Sequence, residues 1–428
     1  MTAPDTIFAP ASGAGLAAIA VLRLSGPATA AVLRALAGSA PSPRRASLRR
    51  LRTRAGETLD HAMVLWFPGP ASYTGEDAAE LHLHGGRAVT EAVAAALLAA
   101  GARPAEPGEF TRRAFLNGKL DLLAAEAVAD LVEAETEAQR RQALRQLEGA
   151  LGDLCRGWAD RLLALMAREE ALIDFPDEDL PPALAAEAEA ARATLAAELA
   201  AHLDDAHRGE RLREGLVFAV TGPPNVGKSS LVNTLAEREV AIVSPHPGTT
   251  RDALETRLIL GGAPVTLVDT AGLRAAADPI EAEGIRRARA HAAAADLVLA
   301  LAEAGTSPSV TPGALAIATK TDLGGAVPDG ALGISTRTGA GLAALRARLA
   351  AEAARLTAAA GPPPLTRARH RAALTTARDA LVAAGAAPAP ELRAEELRQA
   401  LRALGAITGA VDAETVLGAI FSRFCIGK

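Results

Sequence analysis

Cysteine, aromatic residues and long apolar runs are all scarce in this chain of 428 residues, and each shortage excludes a class of protein. The two cysteines, Cys155 and Cys425, are too few and too far apart in sequence for a disulfide framework or a cysteine metal cluster. Aromatic residues make up only 3% of a chain that is half apolar, because alanine supplies much of the apolar content, and alanine favours helices. No cleavable signal or membrane-spanning run is visible, so we expect a cytoplasmic protein with no membrane partner.

An excess of positive charge is also lacking. The formal net charge is −5, which excludes a protein that binds nucleic acid through its overall charge, so any contact with RNA needs a local patch. The best patch is a run of arginines with no acidic residue between them: Arg44, Arg45, Arg49, Arg50, Arg52 and Arg54. A solvated strand face and an RNA-binding surface explain this run equally well.

The most informative feature that the chain does have is a glycine-rich motif. Residues 222–229 read GPPNVGKS and match the phosphate-loop pattern GxxxxGK[ST]. An apolar strand is predicted just before it, at 216–221, and a helix begins just after it, at Ser230, so backbone N–H groups can face phosphate oxygens. This context argues against a glycine-rich turn with no chemical role. Lys228 is predicted to reach the outer phosphates, and Ser229 to bind a magnesium ion.

Further segments follow in the order and spacing that are typical of GTPases. They read GTTRD (248–252), DTAG (269–272), TKTD (319–322) and IST (334–336). Thr250 is predicted to close over the magnesium ion and the terminal phosphate, and Asp269 to face the metal from a strand tip. Gly272 leaves its amide free to approach the terminal phosphate. Asp322 can accept two hydrogen bonds from the guanine edge, which adenine cannot donate.

Two positions depart from the usual pattern of these motifs. The base-reading motif usually begins with asparagine, whereas here it begins with Thr319, whose hydroxyl offers one shorter contact, so we expect guanine preference to survive through Asp322 in a weakened form. Many GTPases carry a water-orienting glutamine after DTAG, but this chain has Leu273, which cannot form a hydrogen bond. Glu281 is the candidate replacement and Glu283 its rival, although the spacing fits two ordinary solvated carboxylates equally well.

The pattern outside these motifs changes in blocks along the chain. Residues 1–118 alternate short apolar strands, as at 19–24 and 63–67, with helices, as at 88–100, which is typical of an α/β domain. No proline occurs between positions 107 and 176, where leucines recur at helical spacing, and this predicts long packed helices.

The remaining blocks complete the predicted domain organisation. Helical pattern continues over 183–212 and resumes after the GPPP break at 361–364, which neither a helix nor a strand crosses easily. The predicted fold class is therefore multidomain: an α/β domain at 1–118 and an α-helical bundle domain formed by 119–213 and 361–428. An α/β P-loop GTPase domain at 214–360 is inserted into the helical domain.

Motifs outside the nucleotide-binding segments resemble those of the MnmE (TrmE) family of tRNA-modification GTPases, over essentially the whole chain. They are DTI (5–7), LRLSG (22–26), YTGED (73–77), HGG (84–86), PGEFTRRAFLNGKLDL (107–122), IDFPDED (173–179) and FCIGK (424–428). Together they are far more specific than the phosphate loop, which many unrelated proteins share.

The resemblance implies a function in tRNA modification. Members of the family form homodimers through an N-terminal domain that binds 5-formyl- or 5,10-methylene-tetrahydrofolate. They act with a partner that uses FAD and NADH, MnmG (also called GidA), in a heterotetramer-type complex. The product is an aminomethyl-type group, as in 5-carboxymethylaminomethyluridine, on carbon 5 of the wobble uridine at position 34 of certain tRNAs. Folate supplies the carbon, glycine or ammonium supplies the nitrogen, and GTP hydrolysis drives the conformational cycle.

The resemblance also implies a potassium ion in place of an arginine finger, between GTPase domains that meet face to face. The potassium ligands carry over to Asn225, Ser244, His246 and Thr249, and the magnesium ligands to Ser229 and Thr250. The catalytic residues become Glu281, which the family pattern favours over Glu283, with Thr250 and Lys228. The residues expected to contact GTP are Asn225, Val226, Gly227, Lys228, Ser229, Ser230, Ser244, Thr249, Thr250, Asp269, Thr270, Ala271, Gly272, Thr319, Lys320, Asp322 and Ser335.

For the folate, the resemblance implies contacts from Arg23, Glu80, Lys119 and Lys428. A cation suits the glutamate tail of the ligand, and a carboxylate suits the donor edge of its pterin. The resemblance further suggests that Cys425 is needed for modification, either as a nucleophile or as a small residue packed near the folate. Cys155 is predicted to be a small core residue. His82 and His84 alternate on one strand face, but two ligands are too few for a metal site, so structural roles are favoured.

Two alternative functions remain compatible with part of the sequence. A ribosome-assembly-type GTPase shares the nucleotide motifs, but it does not explain FCIGK or the folate-matching block. A dimeric scaffold with a degenerate GTPase is suggested by Thr319 and Leu273.

Overall fold

The computed structural model of the chain consists of two units, each with its own six-stranded sheet. The structure describes residues 5–13, 15–174, 182–238, 255–269, 295–308, 311–358 and 361–410, together with Phe424 and Gly427. One unit draws on Met1–Ala129, Leu147–Asp160 and Leu401–Lys428, and the other on Asp130–Gln146 and Arg161–Ala400. Within the described ranges, no helix is both long enough and apolar enough to span a membrane.

The first unit contains a six-stranded sheet in the order β3-β4-β5-β2-β1-β6. Its strands are β1 (Ile7–Pro10), β2 (Ile19–Ser25), β3 (Ser47–Arg52), β4 (Thr58–Phe67), β5 (Ala78–His84) and β6 (Arg103–Pro104). All neighbouring pairs are antiparallel except β1 and β6. Two helices, α1 (Thr29–Ala37) and α2 (Arg87–Ala99), pack their leucines and valines on one face of this sheet. The α/β class predicted for this region is confirmed.

Strand β4 is longer than the sequence predicts, since it begins at Thr58 rather than Met63. The polar Asp60 lies at an inward-facing position, which hides the apolar alternation that would have revealed the first half of the strand. Its carboxylate accepts hydrogen bonds from the backbone N–H groups of His61 (2.7 Å) and His84 (2.9 Å), so the buried charge is satisfied.

Helices account for most of the remaining described residues outside the second sheet. They are α3 (Glu109–Leu116), α4 (Leu122–Glu133), α5 (Glu137–Leu147), α6 (Ala150–Asp174), α7 (Pro182–Leu203), α8 (Arg208–Glu214), α11 (Ala368–Ala386) and α12 (Pro390–Thr408). The predicted helical character is therefore confirmed for the segments that precede and follow the second sheet in the sequence. Cys155 is buried in α6 as predicted.

The proline-free stretch forms four helices, and only α6 is long. Capping residues divide it where periodicity alone predicted continuous helix. Asp121 caps α4 by accepting a hydrogen bond from the N–H of Ala124 at 2.7 Å. Thr136 and Gln139 form a capping box at the start of α5, in which the Thr136 hydroxyl accepts from the N–H of Gln139 at 3.2 Å. Gly149, with φ of +94°, separates α5 from α6.

The second unit contains a six-stranded sheet in the order β12-β11-β10-β7-β9-β8. The elements are β7 (Leu216–Thr221), α9 (Lys228–Arg238), β8 (Glu255–Leu260), β9 (Ala263–Asp269), β10 (Leu297–Glu303), β11 (Leu315–Thr319), β12 (Leu332–Gly333) and α10 (Leu342–Thr357). Only β8 runs antiparallel to its neighbour. The parallel strands are near-continuous apolar runs because both faces of such a sheet are covered.

The strand order places the phosphate loop at a switch point of this sheet. Strand β7 lies between β9 and β10, so the loop that follows it opens where the chain turns to opposite sides of the sheet. The ends of β7, β9 and β11 carry Thr221, Asp269 and Thr319, and parallel strands deliver these ends to the same edge. The predicted strand at 216–221 and the P-loop α/β class are confirmed.

Candidate functional sites

The phosphate loop is held in shape by three residues with positive φ. Gly222 has φ of +143°, and a Cβ built on it would lie 2.4 Å from the carbonyl oxygen of Leu301, so only glycine fits there. Asn225 and Gly227 have φ of +60° and +100°. Successive N–H groups in such a conformation point into one concavity, which suits an anion.

Lys228 lies at the start of α9 with its side chain folded against this loop. It is buried, and its Nζ donates hydrogen bonds to the carbonyl oxygens of Gly222 (2.8 Å) and Pro223 (2.6 Å). An ammonium group has three protons, so one remains for a phosphate oxygen. The loop therefore positions a cation beside the predicted phosphate position.

Ser229 and Asp269, predicted at the metal site from separate motifs, meet in the structure. The Ser229 hydroxyl donates to Oδ2 of Asp269 at 2.6 Å, which joins the first turn of α9 to the tip of β9. A hydroxyl and a carboxylate are hard oxygen ligands, and Mg²⁺ bound with a nucleotide needs only one or two such protein groups. The donor set present fits a magnesium ion.

The base-reading carboxylate of Asp322 is oriented by two neighbours. Its Oδ1 accepts from the hydroxyl of the fully buried Ser335 at 2.6 Å, and its Oδ2 accepts from Nε of Arg337 at 2.8 Å. The hydrogen bonds from Ser335 and then from Arg337 lower the pKa of Asp322, which keeps it ionised at neutral pH. Ser335 is among the residues predicted from the sequence, whereas Arg337 is not; the one sequence signal for Arg337 is its position directly after IST.

Thr319 lies at the end of β11, next to the phosphate loop. Its buried hydroxyl donates to the carbonyl oxygen of Val226 at 2.7 Å and lies 3.1 Å from that of Ala302. Lys320 has a positive φ, and its ammonium group forms an ion pair with Glu303. The base-reading motif is thereby tied to the phosphate loop through main-chain oxygens.

Several predicted site residues lie outside the described residues, so their roles stay predictions. For the nucleotide site they are Ser244, His246, Thr249, Thr250, Thr270, Ala271, Gly272, Leu273, Glu281 and Glu283. For the folate site they are Cys425 and Lys428.

Two of the residues predicted to bind folate face each other across neighbouring strands in the first unit. Nη2 of Arg23 on β2 donates to Oε1 of Glu80 on β5 at 3.0 Å. The guanidinium lies 5.8 Å from the ring centroid of Tyr73 and 5.9 Å from that of Phe110. A cation paired with a carboxylate thus lies beside two aromatic rings, an arrangement that can bind a flat ligand with polar edges.

Tyr73, the only tyrosine of the chain, is not among the folate contacts predicted from the sequence. Its hydroxyl is 2.9 Å from that of Thr111, and burial raises its pKa. Lys119, the third predicted folate residue, lies beside Gly75, where an added Cβ would come within 3.4 Å of Lys119 Cγ. The motif YTGED therefore connects the predicted folate residues.

Other motif residues form an ion-pair network centred on Arg113. Its guanidinium donates to Asp5 (2.7 Å), Glu76 (3.0 Å) and Glu109 (2.9 Å). Although burial raises the pKa of Glu109, hydrogen bonds from Arg103, the N–H of Glu106 and Arg113 hold it below its ordinary value. This network links three separate motifs of the sequence, which gives them a structural role.

His82 and His84 pair with different carboxylates. His82 Nε2 lies 3.3 Å from Glu80, and His84 Nδ1 lies 2.7 Å from the buried Asp60. In the part of the chain that the structure describes, no group of three or more His, Cys, Asp or Glu side chains could hold a metal ion. Both histidines therefore have structural partners.

The arginine run forms the edge strand β3 and its flanks. Arg45, Arg50, Arg52 and Arg54 are exposed, and none of them has an acidic partner among the described residues. Arg44 instead stacks 5.8 Å from the ring centroid of Phe67. The run therefore includes an edge strand, and the described carboxylates leave its exposed charges uncompensated.

Comparisons with known proteins cover the whole chain. A family model described as "GTP-binding protein TrmE N-terminus" matches residues 6–119, and one described as "MnmE helical domain" matches residues 122–425. A tRNA modification GTPase MnmE from Gluconacetobacter diazotrophicus is 58% identical, covering 99% of this chain and 98% of the relative. One from Granulibacter bethesdensis is 55% identical and covers 99% of each chain. A solved structure of a GTP-binding protein from Sulfolobus solfataricus in complex with GDP is 14% identical and covers 60% of this chain and 80% of its own. Its TM-score of 0.23 is too low to indicate a shared fold.

Proposed function

The chain belongs to the MnmE family of tRNA modification GTPases, and from this premise we propose that it is a potassium-stimulated GTPase that helps to modify the wobble uridine of certain tRNAs. The observation that carries the proposal is the hydrogen bond between Ser229 and Asp269 at the edge of the parallel sheet where Lys228 is held against the phosphate loop. Asp322, oriented by Ser335, belongs to the same unit and supplies the base preference.

Each described residue has a defined task in this proposal. Lys228 holds the outer phosphates, and Ser229 and Asp269 hold magnesium, which neutralises charge on the phosphates when it is bound. The carboxylate of Asp322 accepts from the Watson–Crick edge of guanine. Thr250 would close over the phosphates, and Glu281 would orient the attacking water.

A potassium site is proposed beside the phosphate loop. Asn225 is exposed and has a positive φ, so its side chain is accessible to an ion from outside the loop. With Ser244, His246 and Thr249 it would hold a potassium ion, which stabilises negative charge developing in the transition state as an arginine finger does.

Hydrolysis of GTP is expected to be at least about tenfold faster in potassium chloride than in sodium chloride at equal ionic strength, because one added positive charge at the transition state contributes orders of magnitude. Steady-state phosphate release by the full chain measures this. Asn225→Ala should lower the rate in potassium to that in sodium, whereas Asn233→Ala, an exposed change on α9, should leave the ratio unaltered. Equal rates in both salts would remove the potassium mechanism, and no hydrolysis in either would favour a scaffold with a degenerate GTPase.

A tetrahydrofolate is proposed as the one-carbon source, bound by Arg23, Glu80 and Lys119 together with Lys428. Arg23 pairs with Glu80 and lies over two aromatic rings, so the guanidinium has its direction set before a ligand arrives. A homodimer, and a complex with the flavoprotein MnmG, are proposed as the working assembly in the cytoplasm.

Arg23→Ala is expected to weaken binding of 5-formyl-tetrahydrofolate by about tenfold or more, since a hydrogen bond to a charged group contributes about 1.5–3 kcal/mol. Isothermal titration calorimetry measures this affinity. Arg34→Ala on α1, an exposed position of the same unit, is the matched control and should bind as the parent does. Unchanged affinity in Arg23→Ala would withdraw the folate assignment.

The tRNA is proposed to contact the uncompensated arginines of β3 and its flanks. Many other described arginines of this chain have an acidic partner, whereas the exposed arginines of β3 and its flanks have none among the described residues. Their guanidinium groups are therefore available to phosphates. The competing explanation is that charge on an edge strand only prevents pairing with another sheet.

Replacing Arg50, Arg52 and Arg54 together by glutamine is expected to weaken tRNA binding and to reduce the slope of log affinity against log salt by about 2, since each phosphate contact contributes about 0.7–0.9. Filter binding at several salt concentrations measures both quantities. The matched control replaces Arg87, Arg140 and Arg141, which all have acidic partners. An unaltered slope in the first variant would support the edge-strand explanation.

A further inference from the structure

Thr319 is the first residue of the base-reading motif, and its hydroxyl, the only hydrogen-bond donor of its side chain, is already in use within the protein. Its hydroxyl is 2.7 Å from the carbonyl oxygen of Val226 and 3.1 Å from that of Ala302, and the side chain is 3% exposed. A hydroxyl carries one proton, so whichever carbonyl receives it, none remains for a ligand.

Guanine presents two acceptors, N7 and O6, on its Hoogsteen edge, which adjoins the Watson–Crick face. A protein group that reads this edge must therefore donate a hydrogen bond. An asparagine amide has two N–H donors, so it can bond the loop carbonyl with one and the base with the other. Thr319 can offer the base only lone pairs, which an acceptor repels.

We propose that Thr319 ties the base-reading motif to the phosphate loop but forms no hydrogen bond with the base, so that within this motif the side chain that hydrogen-bonds guanine is that of Asp322. The inference rests on the proposed function, because it assumes that the site binds a guanine nucleotide. Oδ1 of Asp322 accepts a hydrogen bond from Ser335 and Oδ2 accepts one from Arg337, and each carboxylate oxygen has a second lone pair for guanine N1–H or N2–H.

If Thr319 forms no hydrogen bond with the base, the affinity for the guanine nucleotide should not depend on the base nitrogen N7. In 7-deaza-GTP this nitrogen is replaced by C–H, while the Watson–Crick edge and the phosphates are unchanged. Competition binding with the full chain and magnesium is expected to give equal affinities for GTP and 7-deaza-GTP, within about twofold. Thr319→Asn adds the missing donor, so it should bind GTP about 2- to 13-fold more tightly than 7-deaza-GTP, as expected for a hydrogen bond of about 0.5–1.5 kcal/mol.

Two further variants separate the loop contact from a base contact. Thr319→Ser keeps the hydroxyl and should bind GTP and 7-deaza-GTP with equal affinities. Thr319→Val removes the bond to Val226 and should weaken both nucleotides by the same factor. A parent protein that binds GTP fivefold or more tightly than 7-deaza-GTP, with the difference lost in Thr319→Val, would overturn this inference and leave the proposed GTPase intact. Binding of neither nucleotide by the folded parent would overturn both.

Discussion

Asp322→Asn is expected to lower the affinity for GTP by about 100-fold or more and to raise the affinity for xanthosine triphosphate. Guanine donates from N1 and from its exocyclic amine, and two hydrogen bonds to a carboxylate contribute about 1.5–3 kcal/mol each. Xanthine carries a carbonyl oxygen where guanine carries the amine, and an asparagine amide can donate to that oxygen. Ser335 still donates to position 322 in the variant, so the side chain should keep its direction.

Competition binding with the two nucleotides measures the exchange of preference. Asp329→Asn, an exposed aspartate seven positions along the same segment, is the matched control and should bind GTP as the parent does. Loss of GTP affinity without a gain for the xanthine nucleotide would point to a displaced side chain. Undiminished GTP affinity would remove Asp322 from the site.

Lys228→Ala is expected to reduce GTP affinity by about 100-fold or more and to abolish turnover. The buried ammonium is held by two loop carbonyls, so its remaining proton is aimed without further loss of side-chain freedom, and charge-assisted hydrogen bonds to phosphate are among the strong ones. The variant also removes the two bonds to Gly222 and Pro223, which makes a stability check necessary.

Calorimetric titration with GTP, together with thermal unfolding, tests this second prediction. A binding loss with an unfolding temperature close to that of the parent assigns the effect to the phosphates. Arg348→Ala, which removes an exposed cation paired with Glu352 on α10, is the control for loss of a cation in the same unit. Parent-like affinity in Lys228→Ala would exclude the phosphate loop as the nucleotide site.

Some secondary-structure elements could be predicted from the local sequence pattern, because they depend on residues that are neighbours in the chain. Strand β7 was predicted with its observed bounds, since a buried parallel strand is a short apolar run. Helix boundaries between 107 and 176 were missed, because periodicity sees the apolar face but not the caps at Asp121 and Thr136. Those caps were present in the sequence as short polar signals that the leucine pattern outweighed.

Other features could not be read from the chain, because they join residues far apart in sequence. Arg113 meets Asp5 and Glu76 only when the first sheet forms. Asp60 places a carboxylate at a buried position of β4, and its partner there is His84 on the neighbouring strand β5. Such pairs have no period or spacing that a sequence pattern can detect.

The sequence by itself determined the family, the phosphate loop and the motif order of a GTPase, because these are contiguous and the backbone geometry that they need depends on glycine, lysine and serine at set spacings. Only the tertiary structure decided what the motif residues do to one another. It directed the Thr319 hydroxyl to the carbonyl of Val226, brought Arg337 to Asp322 and joined Ser229 to Asp269. The physical reason is that a hydrogen bond depends on distance and direction in space, which the strand order of the sheet sets and the chain order does not.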